Sequence, residues 1–137
     1  MEKKNLTVTK KGGTLPRVPF FALYHSILGD AYELSITFVG PKKAQSLNHR
    51  YRKKKYTPNT LAFPITKTSG EIVLCERAAR AEHHTFDLPY QTYLTYLVIH
   101  SMLHLKGYQH GSTMERVEKR LLTLFTTDEK TRNKRRH

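Results

Sequence analysis

The sequence predicts a single α+β domain, in which a small mixed sheet of four strands is covered by about five helices. Three observations support this fold class. The chain has 137 residues, which is enough to form one hydrophobic core without disulfides. Hydrophobic residues make up 38% of it and charged residues 26%, as in globular proteins. Strand and helix patterns follow each other irregularly, which favours an α+β arrangement.

Four segments are predicted as strands, and the second of them is marked by its β-branched and aromatic residues. They are residues 5–9, 33–39, 59–64 and 71–74. Pro19 opens a helix that Gly29 ends, and Pro41 opens a second helix that Pro58 breaks. A polar helix is expected at about residues 76–84.

Two further helices complete the predicted domain. Residues 90–106 place apolar side chains on nearly all sides of a helix, so we expect this helix to be central and buried. A capping-box pattern from Ser112 to Glu115 begins the last helix. The domain is expected to extend over residues 1–129. Residues 130–137, KTRNKRRH, contain nothing apolar to bury and are expected to form a disordered basic tail.

The charge of the chain indicates a polyanionic partner. It has 24 Lys and Arg residues against 11 Asp and Glu, which gives a net charge of +13. Such an excess favours nucleic acid, with an anionic membrane surface as the competing interpretation. The densest internal cluster is RYRKKK, residues 50–55. We expect Arg50, Lys53, Lys54 and Lys55 to contact nucleic-acid phosphates.

Other features restrict the cellular setting. No apolar run approaches the roughly eighteen residues needed to span a bilayer. The N-terminal residues MEKKNLTVTK contain no apolar segment of the kind found in secretory signals. The only cysteine, Cys75, cannot form an internal disulfide. We therefore expect a cytoplasmic protein with no membrane partner and no nucleotide cofactor.

The most informative segment is HSMLHLKGYQH, residues 100–110. His100 and His104 are four residues apart and therefore share one helix face. Gly107 can adopt a left-handed conformation that ends the helix and returns His110 to the same point. Three neutral imidazoles with one open position are typical of a catalytic zinc site, with Zn–N distances of about 2.0–2.1 Å. The segment predicts that His100, His104 and His110 bind one zinc ion or another divalent transition metal.

The same histidine spacing occurs in zinc peptidases with the motif H-E-x-x-H-x-x-G-x-x-H. Ser101 stands where that motif has its glutamate, which shuttles a proton to the leaving amine. In phosphodiester cleavage, stabilising the charge on the phosphoryl oxygens matters more than protonating the leaving group. A metal ion and a guanidinium can provide this stabilisation. The missing glutamate and the net charge of +13 therefore favour a metal-dependent nuclease over a peptidase.

The histidine segment resembles the signature H-G-x-L-H-L-x-G-Y-D-H of the YbeY family of bacterial single-strand endoribonucleases. Earlier segments are similar to the family pattern in the same order. LNHRYR at residues 47–52 resembles L-N-x-x-Y-R, TPNTLAFP at residues 57–64 resembles T-D/N-V-L-S-F-P, and GEI at residues 70–72 resembles G-D-I. The resemblance covers roughly residues 35–125.

The resemblance implies a zinc-dependent endoribonuclease with His100, His104 and His110 as the metal ligands. It also implies that Arg52 faces the metal and holds the scissile phosphate, a task that suits the bidentate guanidinium. Members of the family are taken to act in 16S rRNA 3′-end maturation and ribosome quality control. The expected partners are therefore single-stranded RNA, ribosomal RNA in particular, and the small ribosomal subunit.

Three positions depart from the family pattern. Ser101 replaces a glycine, Gln109 replaces an aspartate, and Glu71 replaces the aspartate of G-D-I. Gln109 matters most, because it forms hydrogen bonds but carries no charge with which to act on a metal-bound water or a ligand histidine. Two alternatives stay open: a non-catalytic, metal-stabilised RNA-binding ribosome assembly factor, and a metalloprotease-like hydrolase.

Overall fold

A mixed sheet of five strands forms the base of the protein in a computed structural model, which describes residues 1–135 and their side chains as far as residue 126. The strands are β1 (Glu2–Lys3), β2 (Leu6–Lys10), β3 (Glu33–Phe38), β4 (Thr60–Thr66) and β5 (Ser69–Leu74). Their spatial order is β1-β2-β3-β5-β4. β2, β3 and β5 run parallel to one another, whereas β1 and β4 are antiparallel to their neighbours. The predicted mixed sheet is confirmed.

The predicted number of four strands is one too low. The additional strand, β1, has two exposed residues and pairs with β2 at the edge of the sheet. Asn5 makes the tight connection between the two strands with a φ of 70°, a conformation that asparagine tolerates better than most residues. Two polar residues are too few to produce the alternation that identifies a strand in a sequence.

In the part of the chain that the structure describes, five α-helices accompany the sheet, as predicted. They are α1 (Phe20–Ile27), α2 (Pro41–Arg52), α3 (Glu76–Glu82), α4 (Tyr90–Lys106) and α5 (Ser112–Arg135). The polar helix predicted for residues 76–84 ends earlier, because a 3₁₀ turn at His83–Phe86 follows α3 directly. The basic tail predicted for residues 130–137 overlaps the end of α5, which continues as a helix to Arg135, and its residues 136–137 lie outside the described part of the chain.

Helix α4 is the central element of the hydrophobic core. Leu94, Val98, Ile99 and Met102 are fully buried, and the helix contacts β4 and β5 of the sheet together with α1, α3 and α5. This confirms that the helix at residues 90–106 is central and buried. Within residues 1–135, neither α4 nor any other helix is long and apolar enough to cross a membrane. Because α4 is packed on several sides, side chains at its C-terminal end have a rigid support.

Candidate metal centre

The three predicted histidines converge at the C-terminal end of α4. The ring nitrogens of His100, His104 and His110 that could act as ligands lie within 4.8 Å of one another. The Nε2 atoms of His100 and His104 are 3.1 Å apart. Two nitrogens bound to one tetrahedral ion at about 2.0–2.1 Å would be about 3.3–3.4 Å apart. The three side chains can therefore hold a metal ion with only a small adjustment.

Gly107 brings His110 to the other two histidines. It ends α4 in a left-handed conformation with φ 113° and ψ 2°. The N–H groups of Gly107 and Tyr108 donate to the carbonyl of Leu103 at 3.1 and 3.0 Å. The reversed chain places the His110 ring 4.6 Å from the His104 ring, measured between centroids. A side chain at position 107 would be strained at this φ, which explains the glycine.

Hydrogen bonds on the far side of the rings orient His100 and His104. His100 Nδ1 lies 2.7 Å from Glu118 Oε2, and His104 Nδ1 lies 3.1 Å from the carbonyl oxygen of Tyr108. Because carbonyl and carboxylate oxygens accept, both Nδ1 atoms donate, and in a neutral imidazole this leaves a lone pair on Nε2. The two Nε2 atoms are 3.1 Å apart, so that in these neutral tautomers a cation between them would bind both lone pairs. The tautomers therefore fit metal ligation.

Glu118 is a residue of this centre that sequence reasoning missed. It lies on α5, is only 5% exposed, and reaches His100 from the next helix. Burial, followed by the charge of Glu118, raises the pKa of the adjacent Tyr96 to about 12, so the phenol keeps its proton at neutral pH. One sequence signal could have identified Glu118. It lies four residues after the core residue Met114, so its carboxylate is on the helix face that packs on the core.

The surroundings of His104 favour its neutral form. Burial lowers the pKa of His104 below its ordinary value, and the neighbouring His100 and His110 lower it further. These effects outweigh the hydrogen bond to the Tyr108 carbonyl, which raises the pKa. Since protons and metal ions compete for the same nitrogen, a neutral imidazole can bind a metal over a wider pH range.

Arg52 lies in the same cleft as the three histidines. The cleft has a volume of about 510 Å³, and all four side chains line it. Asn48, one turn earlier on α2 and fully buried, accepts a hydrogen bond of 3.4 Å from Arg52 Nη1. Asn48 also donates to the carbonyl of Tyr56 at 2.9 Å, which fixes the chain after α2. The Arg52 guanidinium and the potential metal centre thus line the same cleft.

The other predicted RNA contacts lie outside the lining of this cleft. Arg50, Lys53, Lys54 and Lys55 are exposed at the end of α2 and just beyond it. Lys53 ends the helix in a left-handed conformation with φ 59°. The basic cluster is therefore divided, with Arg52 in the cleft and the remaining cations on the surface beside it.

The departures from the family pattern have simple structural settings. Ser101 is 1% exposed, and its hydroxyl oxygen lies 2.7 Å from that of Thr60, which joins α4 to β4. Gln109 is exposed, and Glu71 is exposed on β5. Among the described residues, no carboxylate lines the cleft. A peptidase-type glutamate therefore has no substitute there.

The sequence around this site is similar to that of a known protein family. A family model described as Endoribonuclease YbeY matches residues 13–126. The chain belongs to the YbeY family. Proteins named Endoribonuclease YbeY from Alkaliphilus oremlandii and Finegoldia magna are 35% identical over 89 residues and 31% identical over 102 residues. These matches cover 58% and 69% of this chain, and 59% and 67% of the two relatives.

A third YbeY relative and a solved structure extend the comparison. The Endoribonuclease YbeY of Cupriavidus necator is 31% identical over 116 residues, which are 81% of this chain and 59% of that protein. The solution structure of a Thermotoga maritima protein has a TM-score of 0.66, with 93% of both chains covered and 18% sequence identity. This structural likeness confirms the α+β fold alone. The chain spans 59% of the length of two of the three YbeY relatives and 67% of the other.

Proposed function

We propose that this member of the YbeY family is a zinc-dependent endoribonuclease that cleaves single-stranded RNA. The proposal rests on one observation: the Arg52 guanidinium and three convergent histidines line the same cleft. A phosphodiester in this cleft would lie between a metal-binding centre and a bidentate donor. The name of the family supports the same class of activity.

The side chains of the cleft have complementary tasks in this reaction. A zinc ion held by the three histidines would supply a Lewis acid and activate water. Arg52 binds the non-bridging phosphate oxygens and stabilises the charge that develops on them in the transition state. Asn48 limits the rotation of Arg52 through its hydrogen bond. Glu118 holds His100 with its Nε2 lone pair toward the cleft.

The composition of the cleft favours RNA over a peptide substrate. Among the described residues, its lining has no carboxylate to carry a proton to a leaving amine, and Thr60 already binds the Ser101 hydroxyl. The exposed cations beside Arg52 suit a polyanion. Tyr56, which is 55% exposed at the cleft, offers a ring for unpaired bases.

We infer further that the RNA is ribosomal. Membership of the YbeY family supports a role in 16S rRNA 3′-end maturation and ribosome quality control, with the small ribosomal subunit as partner. The net charge of +13 suits association with a dense RNA surface. The corresponding location is the cytoplasm.

The second candidate is a non-catalytic, metal-stabilised RNA-binding assembly factor. Gln109 favours it, because the family pattern has an aspartate at this position and the glutamine carries no charge. In this case the protein binds metal and RNA but leaves the RNA intact. A cleavage assay therefore separates the two candidates.

The test of the proposed function compares Arg52→Lys with the parent protein. Lysine keeps the positive charge but cannot form two parallel hydrogen bonds to a phosphate. We expect Arg52→Lys to retain its metal and near-parental RNA affinity, while the single-turnover cleavage rate of a single-stranded RNA oligonucleotide falls by about 10²- to 10³-fold.

Lys53→Arg is the matched control, since it changes a cation at the adjacent, exposed position. We expect it to cleave at the parental rate. Equal rates in Arg52→Lys and the parent would remove Arg52 from the catalytic site. Metal-loaded parent protein that binds RNA without cutting it would favour the assembly factor.

A further inference from the structure

One wall of the cleft is a row of aromatic rings that the proposed cleavage chemistry does not use. Phe86 stacks on Tyr93 with centroids 4.9 Å apart and an interplanar angle of 24°. Tyr93 stacks on Tyr96 at 6.1 Å, and the Tyr96 ring lies 5.8 Å from the His100 ring. All four side chains line the cleft. The row therefore connects the metal centre with Phe86.

The inner rings of this row are anchored to the protein. Tyr93 is 1% exposed, and its hydroxyl donates to Glu82 at 3.2 Å and accepts from Asn59 at 3.0 Å. Tyr96 is half-buried beside Glu118. These contacts occupy the polar atoms of Tyr93 and make it a fixed support for the ring stacked on it.

Phe86 is the outer and exposed member of the row. It is 53% exposed although its side chain is entirely apolar, and Tyr93 covers one side of its ring. Phe86 is the last residue of the 3₁₀ turn, and Asp87 follows it in a left-handed conformation with φ 58°. The Asp87 N–H donates to the His84 carbonyl at 3.1 Å, which closes the turn. The ring is thus presented to the cleft by a hydrogen-bonded backbone.

We propose that Phe86 forms a nucleobase-stacking subsite, on which a base of the bound RNA stacks a few nucleotides away from the scissile phosphate. This inference rests on the proposed RNA substrate and adds a determinant of its specificity. Stacking on an apolar ring tolerates every base, because each has a π-face. A base inside a duplex has both faces covered by its neighbours, so the subsite selects unpaired RNA.

The absence of tryptophan from the chain permits a direct test of stacking. Phe86→Trp keeps an aromatic ring in the subsite and introduces a single indole fluorophore. We expect a single-stranded RNA oligonucleotide to quench this fluorescence in the metal-loaded protein. Phe21→Trp, at a partly exposed position outside the cleft lining, is the control and should show no quenching.

A second experiment measures the contribution of stacking to binding. Phe86→Leu keeps an apolar side chain without a flat ring, and we expect it to weaken single-stranded RNA binding by about 5- to 100-fold. In the parent protein, an abasic nucleotide at one position within a few nucleotides of the cleaved bond should cause a similar loss. In Phe86→Leu the same abasic nucleotide should have little further effect, since both changes remove one contact. Phe21→Leu should bind both oligonucleotides like the parent.

The results separate the subsite from the proposed function. If the parent cleaves RNA but abasic nucleotides cause no loss and the Phe86→Trp fluorescence is not quenched, the stacking subsite is wrong and the cleavage function stands. If metal-loaded parent protein neither binds nor cleaves single-stranded RNA, the proposed function is wrong. Zinc content and circular dichroism of each variant show whether Phe86→Leu retains its fold, and the abasic scan of the parent does not depend on that variant.

Discussion

Glu118 connects the last helix to the metal centre through one hydrogen bond. Its buried carboxylate accepts a hydrogen bond of 2.7 Å from the Nδ1–H group of His100. A carboxylate in this position fixes the tautomer and orientation of a ligand histidine and raises the basicity of its other nitrogen. Glu118 is thus a positioning residue of the candidate metal centre, acting through His100.

The first prediction concerns zinc affinity in Glu118→Gln. Glutamine has nearly the same size but lacks the charge, so zinc binding is expected to weaken by about 10- to 100-fold. Competition with a chromophoric chelator measures this change. Glu71→Gln, an exposed position outside the cleft lining, should bind zinc like the parent. Unchanged affinity in Glu118→Gln would show that the hydrogen bond to His100 does not support the metal centre.

The contrast between the histidines and Glu118 shows which site residues a sequence can reveal. His100 and His104 share a helix face, and Gly107 is a local signal for the turn to His110, so their convergence follows from short-range geometry. Glu118 follows His100 by 18 residues and belongs to a different helix. Its role depends on how α4 and α5 pack together, which the spacing of residues does not specify.

At the scale of secondary structure, strong local signals determined which elements could be predicted. α4 begins and ends at the predicted residues, because a helix with apolar side chains on nearly all of its sides lies between Pro89 and Gly107. The two-residue strand β1 and the 3₁₀ turn after α3 were missed. Both are short and mostly polar, and their conformation depends on the neighbouring strand or helix rather than on a periodic pattern. Phe86, the proposed stacking residue, lies in the missed 3₁₀ turn.

Glu76 joins three elements at the start of α3. Its carboxylate lies 2.6 Å from Lys10 Nζ on β2 and accepts a hydrogen bond of 2.6 Å from the Tyr90 hydroxyl on α4. Burial alone would raise the pKa of Glu76, but the hydrogen bonds from Lys10 and Tyr90 and the charges of Lys10 and Arg80 outweigh it. The pKa of Glu76 is therefore held below its ordinary value, and the ionised form stabilises the fold.

The second prediction follows from this lowered pKa. Glu76 contributes stability above its unfolded-state pKa of about 4.3, and this contribution is lost as the pH falls through the lower folded-state pKa. Glu76→Gln should reduce the free energy of unfolding by about 1–2 kcal/mol at pH 7, with a smaller difference below about pH 4. Urea denaturation across pH measures both. Glu33 is exposed on β3, so Glu33→Gln should have nearly the parental free energy of unfolding. If Glu76→Gln reduced the free energy of unfolding equally at every pH, the ionic contribution of Glu76 would be contradicted.

At the scale of the whole molecule, the net charge of +13 and the cations beside the cleft predict salt-sensitive RNA binding. If Arg50, Arg52, Lys53, Lys54 and Lys55 each neutralise one phosphate, log K should fall with log salt with a slope of about 3.5, at about 0.7 per contact for single strands. Fluorescence anisotropy with a labelled oligonucleotide measures the slope. A slope near zero would remove nucleic acid as the partner.

A triple variant tests whether these particular cations make the contacts. Changing Lys53, Lys54 and Lys55 to glutamine should reduce the slope by about 2. The matched control changes Lys3, Lys4 and Lys67, which are exposed and outside the cleft lining, to glutamine with the same loss of charge. Equal slopes in the two triple variants would mean that the net charge, rather than the cluster beside Arg52, attracts the RNA.

The most direct test of a metal-dependent endoribonuclease is the cleavage rate of single-stranded RNA as a function of zinc occupancy. Metal-free protein should leave the RNA intact, and the rate should rise in proportion to added zinc until one ion is bound per chain. Casein should remain uncut throughout, because no carboxylate among the described residues lines the cleft. Parental cleavage by metal-free protein in excess chelator, or intact RNA at full zinc occupancy, would contradict the proposed function.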